Sequence, residues 1–254
     1  MSDWIGIVEA QGAPGLKLAL FRGFPSPWSV AARWIFDLKR VPYLKVERTE
    51  ADAAENRLRQ WTGQDSLPVA VLDDERPRSH WSAIALLAER LGPEPRLIPD
   101  DPVLRADMMG LAHELMGEMG LLWCVRALAL APAIKAQPDD LRMQEFASKY
   151  GMSETESAVA PQRIRDCLQL LAERARGQRA AGCQFLVGDQ MSLLDIYWAA
   201  ASVLLQPDDR FALPEPVLAM VEGFSGVAGP ISPDLVAMRD FMFTEHFELP
   251  LRLD

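Results

Sequence analysis

"FLVGDQMSLLDIYWA", residues 185–199, is the stretch on which the reading of the fold turns. Ser192 followed three residues later by Asp195 has the form of a capping box, with Asp in place of the usual Glu. The Ser side chain is placed to accept from the third helical amide, and Asp195 to reach back to the Ser192 amide. The helix it opens, "SLLDIYWAAASVLL", is apolar nearly all round. Such a helix belongs at the centre of a bundle rather than on its surface. The motif stabilises a fold and carries no chemistry.

Toward the N-terminus the pattern changes. "LKLALFR" at 16–22 alternates Leu16, Leu18 and Leu20 with less apolar neighbours, which predicts a strand. After "FPSP", Trp28, Ala32, Ile35 and Phe36 share one side of a helix. "YLKVE" at 43–47 predicts a second strand, "EADAAENRLRQW" a weaker helix, and "LPVAVL" at 67–72 a short strand buried on both faces. Trp81, Ile84, Ala85, Ala88 and Leu91 then mark another helix. This is a compact α/β unit with a mixed sheet, its first two strands parallel around a helical crossover. "LGPEPRLIPDDP" at 91–102 holds four prolines and reads as a linker. Beyond it the chain is helical, beginning with one long helix over "PVLRADMMGLAHELMGEMGLLW". The expected division is 15–92, a linker at 93–102, and an all-helical domain at 103–254.

Composition narrows the function. The 254 residues are 49% hydrophobic and 24% charged, ordinary for a globular protein. Lys and Arg number 26 against 36 Asp and Glu, a net charge of −10, which disfavours nucleic acid or an anionic membrane as partner. No run of eighteen apolar residues appears, so no membrane span is expected. "MSDWIGIVEAQGAPG" has no basic n-region and does not read as a signal peptide. Cys124, Cys167 and Cys183 are far apart and odd in number, which predicts a reducing cytoplasm and no disulfide framework. His113 lacks a second His four residues on, where Gly117 stands, so no metal site is expected.

The segment 185–199 resembles the one that opens the buried helix of the C-terminal domain in the glutathione S-transferase superfamily. Two further features match in order: Ser26-Pro27 at the start of the first helix, and Pro68, normally cis in that family, opening the strand "SLPVAVL". The resemblance covers roughly residues 15–245. It implies a thioredoxin-like α/β domain followed by an all-α domain, a homodimer, and glutathione as co-substrate without a metal. On local sequence alone Pro68 reads equally as a trans proline at a strand edge.

In the serine- and cysteine-type members the first-helix hydroxyl or thiol contacts the glutathione sulfur; by position that residue is Ser26. A helix N-terminus and a hydroxyl donor both favour a thiolate, which attacks electrophiles at neutral pH. The other reading of Ser26 is an N-cap before Pro at the first helical position, with Ser29 as a second polar partner. Leu67 and Pro68 would present backbone to the cysteinyl part of glutathione. Where many members carry Glu-Ser to hold the γ-glutamyl end, this chain has His80-Trp81, followed by Ser82. Ser79, Ser82, His80, Arg76 and Arg78 are the residues available to serve instead, and Trp81 also reads as the first core residue of its helix.

The resemblance implies conjugation of glutathione to a small apolar electrophile, or its use to cleave one, as in detoxification. Trp28, Met116 and Met119 would border the electrophile's pocket; Met108 and Met109 share that segment, and the methionines read as core or interface as well. The aromatic "FMFTEHF" at 241–247 reads as a cover for the cleft or as packing. "SPWSVAARWIF" faintly resembles bacterial members that cleave aryl ethers. The alternative is a non-catalytic ligand-binding or protein-interaction module on the same fold. A thiol-disulfide reductase is disfavoured, because Ser stands where Cys is needed.

Overall fold

The structure is a computed structural model that describes residues 4–253. It divides into two compact units. The first runs to Ile98 and takes back the segment from Arg252; the second is Pro99–Leu251.

The first unit contains β1 (Trp4–Gly6), α1 (Ile7–Gly12), β2 (Leu16–Leu20), α2 (Pro27–Leu38), β3 (Leu44–Glu47), α3 (Glu50–Ala54), α4 (Arg57–Thr62), β4 (Val69–Leu72) and α5 (Trp81–Leu91). The sheet order is β1-β3-β2-β4. β3 is parallel to both β1 and β2, and β4 is antiparallel to β2. The sheet is therefore mixed, and the first crossover joins parallel strands, as its sequence predicts. Residues 4–12 add an edge strand and a helix ahead of the expected start at 15. Ile7 and Ala10 of α1 pack with Leu58 of α4 against Ala19, Val46 and Val71 of the sheet. α2 and α5 pack together and bury Ile35, Phe36, Ile84 and Leu87.

Three local differences have physical causes. Every residue of β2 is buried, including Lys17, because the strand is central. The Lys17 ammonium reaches out of the core to the Ala13 carbonyl at 3.0 Å. The helix expected over 50–61 is two, broken where Asn56 takes φ 54°, a left-handed conformation that Asn tolerates. Ala70 and Arg78 form an isolated antiparallel bridge, the remnant of a further strand.

The second unit contains α6 (Pro102–Met116), α7 (Leu121–Ala136), α8 (Leu141–Lys149), α9 (Glu154–Ala180), α10 (Leu193–Leu205), a 3-10 turn at Asp209–Phe211, α11 (Glu215–Ala228) and α12 (Pro233–Glu245). All thirteen residues of α10 are buried, and α6, α11 and α12 pack around it. The Trp198 indole donates to the Leu235 carbonyl of α12 at 2.9 Å, so the helix buries its large aromatic without an unpaired donor.

Asp195 at the head of α10 is 2% exposed. Its carboxylate accepts from the Leu186 amide at 2.7 Å, and from the Ser192 amide and hydroxyl, each at 2.8 Å. Burial pushes this carboxyl up to about 6, against the downward pull of those hydrogen bonds.

The single helix expected from residue 102 is interrupted at 117–120. A Cβ on Gly117 would meet the His113 ring at 2.4 Å, and one on Gly120 the Glu114 carbonyl at 2.7 Å. Met119 turns left-handed at φ 58° between them. The stretch from Pro102 to Ala136 is long and apolar enough in part to cross a bilayer. The break leaves pieces of 15 and 16 residues, each short of the ~20 that a span requires.

Candidate active site

The topology of the first unit brings the sequence-predicted site to one end of the sheet. Because β2 and β4 are antiparallel with Ala19 opposite Val69, the chain leaving β2 toward Ser26 lies at the end where Leu67-Pro68 enters β4. The antiparallel bridge of Arg78 to Ala70 carries the following residues, Ser79 to Trp81, toward that same end. Three stretches separated in sequence thus converge: the loop 21–26, the Leu67-Pro68 step, and the start of α5. The Leu67-Pro68 peptide is cis.

Ser26 is the N-cap of α2, is 5% exposed, and makes no side-chain cap hydrogen bond. The backbone does not forbid one. Asp101 and Ser232 open α6 and α12 in the same way, each followed by Pro, with φ near that of Ser26 (−58°) at −59° and −56°. Asp101 caps Val103 and Leu104, and Ser232 caps Asp234. Of these three starts, Ser26 alone leaves its side chain out of the cap. The capping reading of its hydroxyl is corrected accordingly: Ser26 occupies the position without doing that work.

Ser29 does the local tying instead. Buried at 3% exposure, its hydroxyl accepts from the Phe21 amide at 3.2 Å, joining the end of β2 to α2. The loop between them turns at Gly23, whose φ of 75° is one that side chains rarely adopt. The Ser26 amide donates to the Phe24 carbonyl at 2.9 Å, and Arg22 pairs with Glu47 at 2.7 Å.

At the α5 start, His80 is the N-cap. Its Nδ1 accepts from the Ser82 amide at 3.3 Å and lies 2.8 Å from the Ser82 hydroxyl. Trp81, half-buried, is the first helical residue, its ring 5.2 Å from the imidazole. Ser79 donates to Gln64 at 2.9 Å, tying the approach to β4 to the approach to α5. Arg78 is committed to Glu75 at 2.6 Å, which also receives Arg90 at 2.6 Å, while Arg76 is exposed.

The remaining predicted residues belong to α2 and to the second unit. Trp28 is partly buried on α2. Met116 is 2% exposed at the end of α6, packed in the helical unit. The Met119 carbonyl accepts from Arg163 Nε at 3.1 Å. Cys124 and Cys167 are buried; burial pushes the Cys124 thiol up and the Cys167 thiol up to about 12. At neutral pH neither buried thiol is a nucleophile.

No protein-family model matches the chain, and no curated protein sequence matches it. Solved structures do. The beta-etherase LigF from Sphingobium sp. strain SYK-6 superposes with a TM-score of 0.60 at 17% identity, over 89% of this chain and 99% of that one. A glutathione S-transferase from Methylobacillus flagellatus KT, with glutathione bound, gives 0.57 at 16% identity, over 89% and 94%. A glutathione S-transferase from Xanthobacter autotrophicus Py2 gives 0.55 at 15% identity, over 94% and 98%.

The chain has the glutathione S-transferase fold.

Within this transferase fold, β2 is the strand that leads into the Ser26 loop, and β1 with α1 precedes it. Ser29 is readable in the sequence only as a second polar partner of the helix start, and the structure makes it the tie to Phe21 instead. Lys39 carries no sequence signal and anchors the far end of α2. Lys39, at the C-cap of α2, has a fully buried side chain that meets Glu89 of α5 at 2.8 Å and the carbonyls of Gly92 and Pro95, each at 2.8 Å. Gly23, ahead of Phe-Pro-Ser-Pro, was the one visible signal for the sharp turn.

Proposed function

We propose that the protein uses glutathione as co-substrate, conjugating it to a small apolar electrophile or cleaving one with it. The observation that carries this reading is the Ser26 hydroxyl. It stands at a helix N-terminus, unused for capping, at the sheet end where β4 and α5 also begin.

Glutathione would lie across that end. The backbone of Leu67, before Pro68, would align its cysteinyl part. The Ser26 hydroxyl would donate to the sulfur, and the positive end of α2 would lower the thiol's pKa. The thiol proton leaves to water and the thiolate attacks the electrophilic carbon. A carbon–sulfur bond forms while, in a substitution or cleavage, the leaving group departs with the electron pair of its bond; in an addition the displaced π pair takes up a proton from water. The γ-glutamyl carboxylate would approach the α5 start, where it must displace the His80 ring from the Ser82 amide or be met by that ring in its protonated form. Ser82 supplies its hydroxyl, and Trp81 stacks alongside. Trp28, on α2, is a candidate for the apolar side of the electrophile's pocket; Met116 packs in the core of the helical unit.

This chemistry requires no metal. The three cysteines, none in a disulfide, suit a reducing cytoplasm, and a homodimer is proposed with that location. A role in detoxification is proposed with it, as the resemblance implies.

The test is Ser26→Ala. Turnover with a reporter electrophile should fall by on the order of 10², and the pH at which bound glutathione ionises should rise. Unchanged turnover and an unchanged ionisation profile would remove Ser26 from the mechanism.

A further inference from the structure

We propose that the segment Arg252–Leu253 is a positioning strap for the loop that carries Ser26. Two consecutive carbonyls of this segment grip the loop and the helix that follows it. The Leu253 carbonyl accepts from the Gly23 amide at 2.7 Å. The Arg252 carbonyl accepts from the Arg33 guanidinium. Arg33 lies seven residues, two helical turns, past Ser26 and so on the same side of α2.

The grip walls a small, partly open cleft of about 20 Å³ lined by Phe21, Phe24, Ser29, Val30, Arg252 and Leu253. Phe21 and Phe24 meet edge to face in it, with ring centroids 6.5 Å apart. The strap therefore holds the side of the loop that Ser29 does not: Ser29 fixes Phe21, and Leu253 fixes Gly23. Gly23 suits this use. Its left-handed φ directs the amide toward the strap, and a side chain there would find space but be strained.

The Ser26 hydroxyl is placed by the backbone of this loop, three residues beyond Gly23. A displacement of one ångström at a reacting group costs about 10² in rate. The strap therefore sets the distance between that hydroxyl and the sulfur it serves. Arg33 is a positioning residue in this arrangement. The kinetic consequence rests on the glutathione reading above; the mechanical one does not.

The experiment compares the full chain with a variant lacking residues 252–254 and with Arg33→Met. Hydrogen exchange is followed at the peptide containing Gly23, with the α4 peptide as reference, alongside glutathione kinetics. In the shortened chain the Gly23 peptide should exchange about tenfold faster while α4 is unchanged. Its kcat should fall on the order of tenfold with the KM for glutathione unmoved. Arg33→Met, which loses one grip of two, should show the same pattern at smaller size, and it decides the matter if the shortened chain does not fold. Unchanged exchange at Gly23 overturns the strap. Faster exchange at unchanged kcat overturns its positioning role. A full chain that binds no glutathione overturns the functional reading, and the exchange result still decides the strap.

Discussion

The Ser29 hydroxyl accepts the Phe21 amide hydrogen at 3.2 Å, eight residues back along the chain, and so fastens α2 to the end of β2. Ser26, one turn earlier on the same helix, makes no such bond to the backbone. Two serines three residues apart thus differ: one ties the backbone, and the other leaves its hydroxyl out of the cap, as the proposed function requires. Ser29→Ala leaves a part-buried amide without its acceptor and should cost about 1 kcal/mol in urea unfolding. Ser26→Ala removes no cap bond and should change stability by less than about 0.5 kcal/mol. Equal losses of stability would contradict this division.

Lys39 and Glu89 join the C-terminal ends of α2 and α5, the ends away from Ser26 and His80. The ammonium is fully enclosed and has Glu89 and two backbone carbonyls as partners. Glu89 also accepts from the Leu97 amide at 2.9 Å, so the pair anchors the chain that leaves α5. Lys39→Met strands a carboxylate and two carbonyls, and should cost about 3–5 kcal/mol. Adding Glu89→Gln should recover part of that loss. Strictly additive losses in a double-mutant cycle would show that the two groups are not coupled.

Asp195 makes stability depend on pH in an unusual direction for a carboxylate. Its folded value of about 6 lies above the ordinary 3.8. Between those values the folded state holds a proton that the unfolded state has released. The stability from this group is therefore complete below pH 3.8 and is lost as pH rises through 6, by on the order of 3 kcal/mol. Asp195→Asn cannot titrate and will also weaken the cap. The difference in unfolding free energy between the native chain and this variant should shrink from pH 4 to pH 7. Parallel stability curves would show that the Asp195 carboxyl ionises as it does in the unfolded chain.

Gly117 is required by crowding, not by its backbone angles. A Cβ there would lie 2.4 Å from the His113 ring and 2.7 Å from the His113 carbonyl. Gly117→Ala should destabilise the helical unit by about 1–3 kcal/mol. His113→Ala should relieve the ring clash and leave the carbonyl clash, so the double variant should recover part of the loss. Full tolerance of Gly117→Ala would show that the α6–α7 junction moves freely.

Much of this fold is legible from local pattern. β2, α2, β3, β4 and α5 announce themselves by periodicity and turn residues, and α10 by its capping box and its apolar faces. β1 does not, because three residues show no period; it is a strand only through pairing with β3, forty-one residues away at Trp4 and Lys45. The break before α7 shows in the sequence only as Gly117 and Gly120 around two helix formers, Glu118 and Met119; the closeness of the His113 ring to Gly117 exists only in the fold. The candidate site divides in the same way. Ser26, Pro68 and His80 are visible as residue types at motif positions. The unused Ser26 hydroxyl, the Ser29 tie and the grip of Leu253 on Gly23 exist only in three dimensions.

The most direct test of the central claim is a calorimetric titration of the purified protein with glutathione, at two temperatures so that a zero enthalpy at one does not hide binding. Saturable heat at one site per chain is the predicted result. No heat at millimolar glutathione at either temperature would contradict the account.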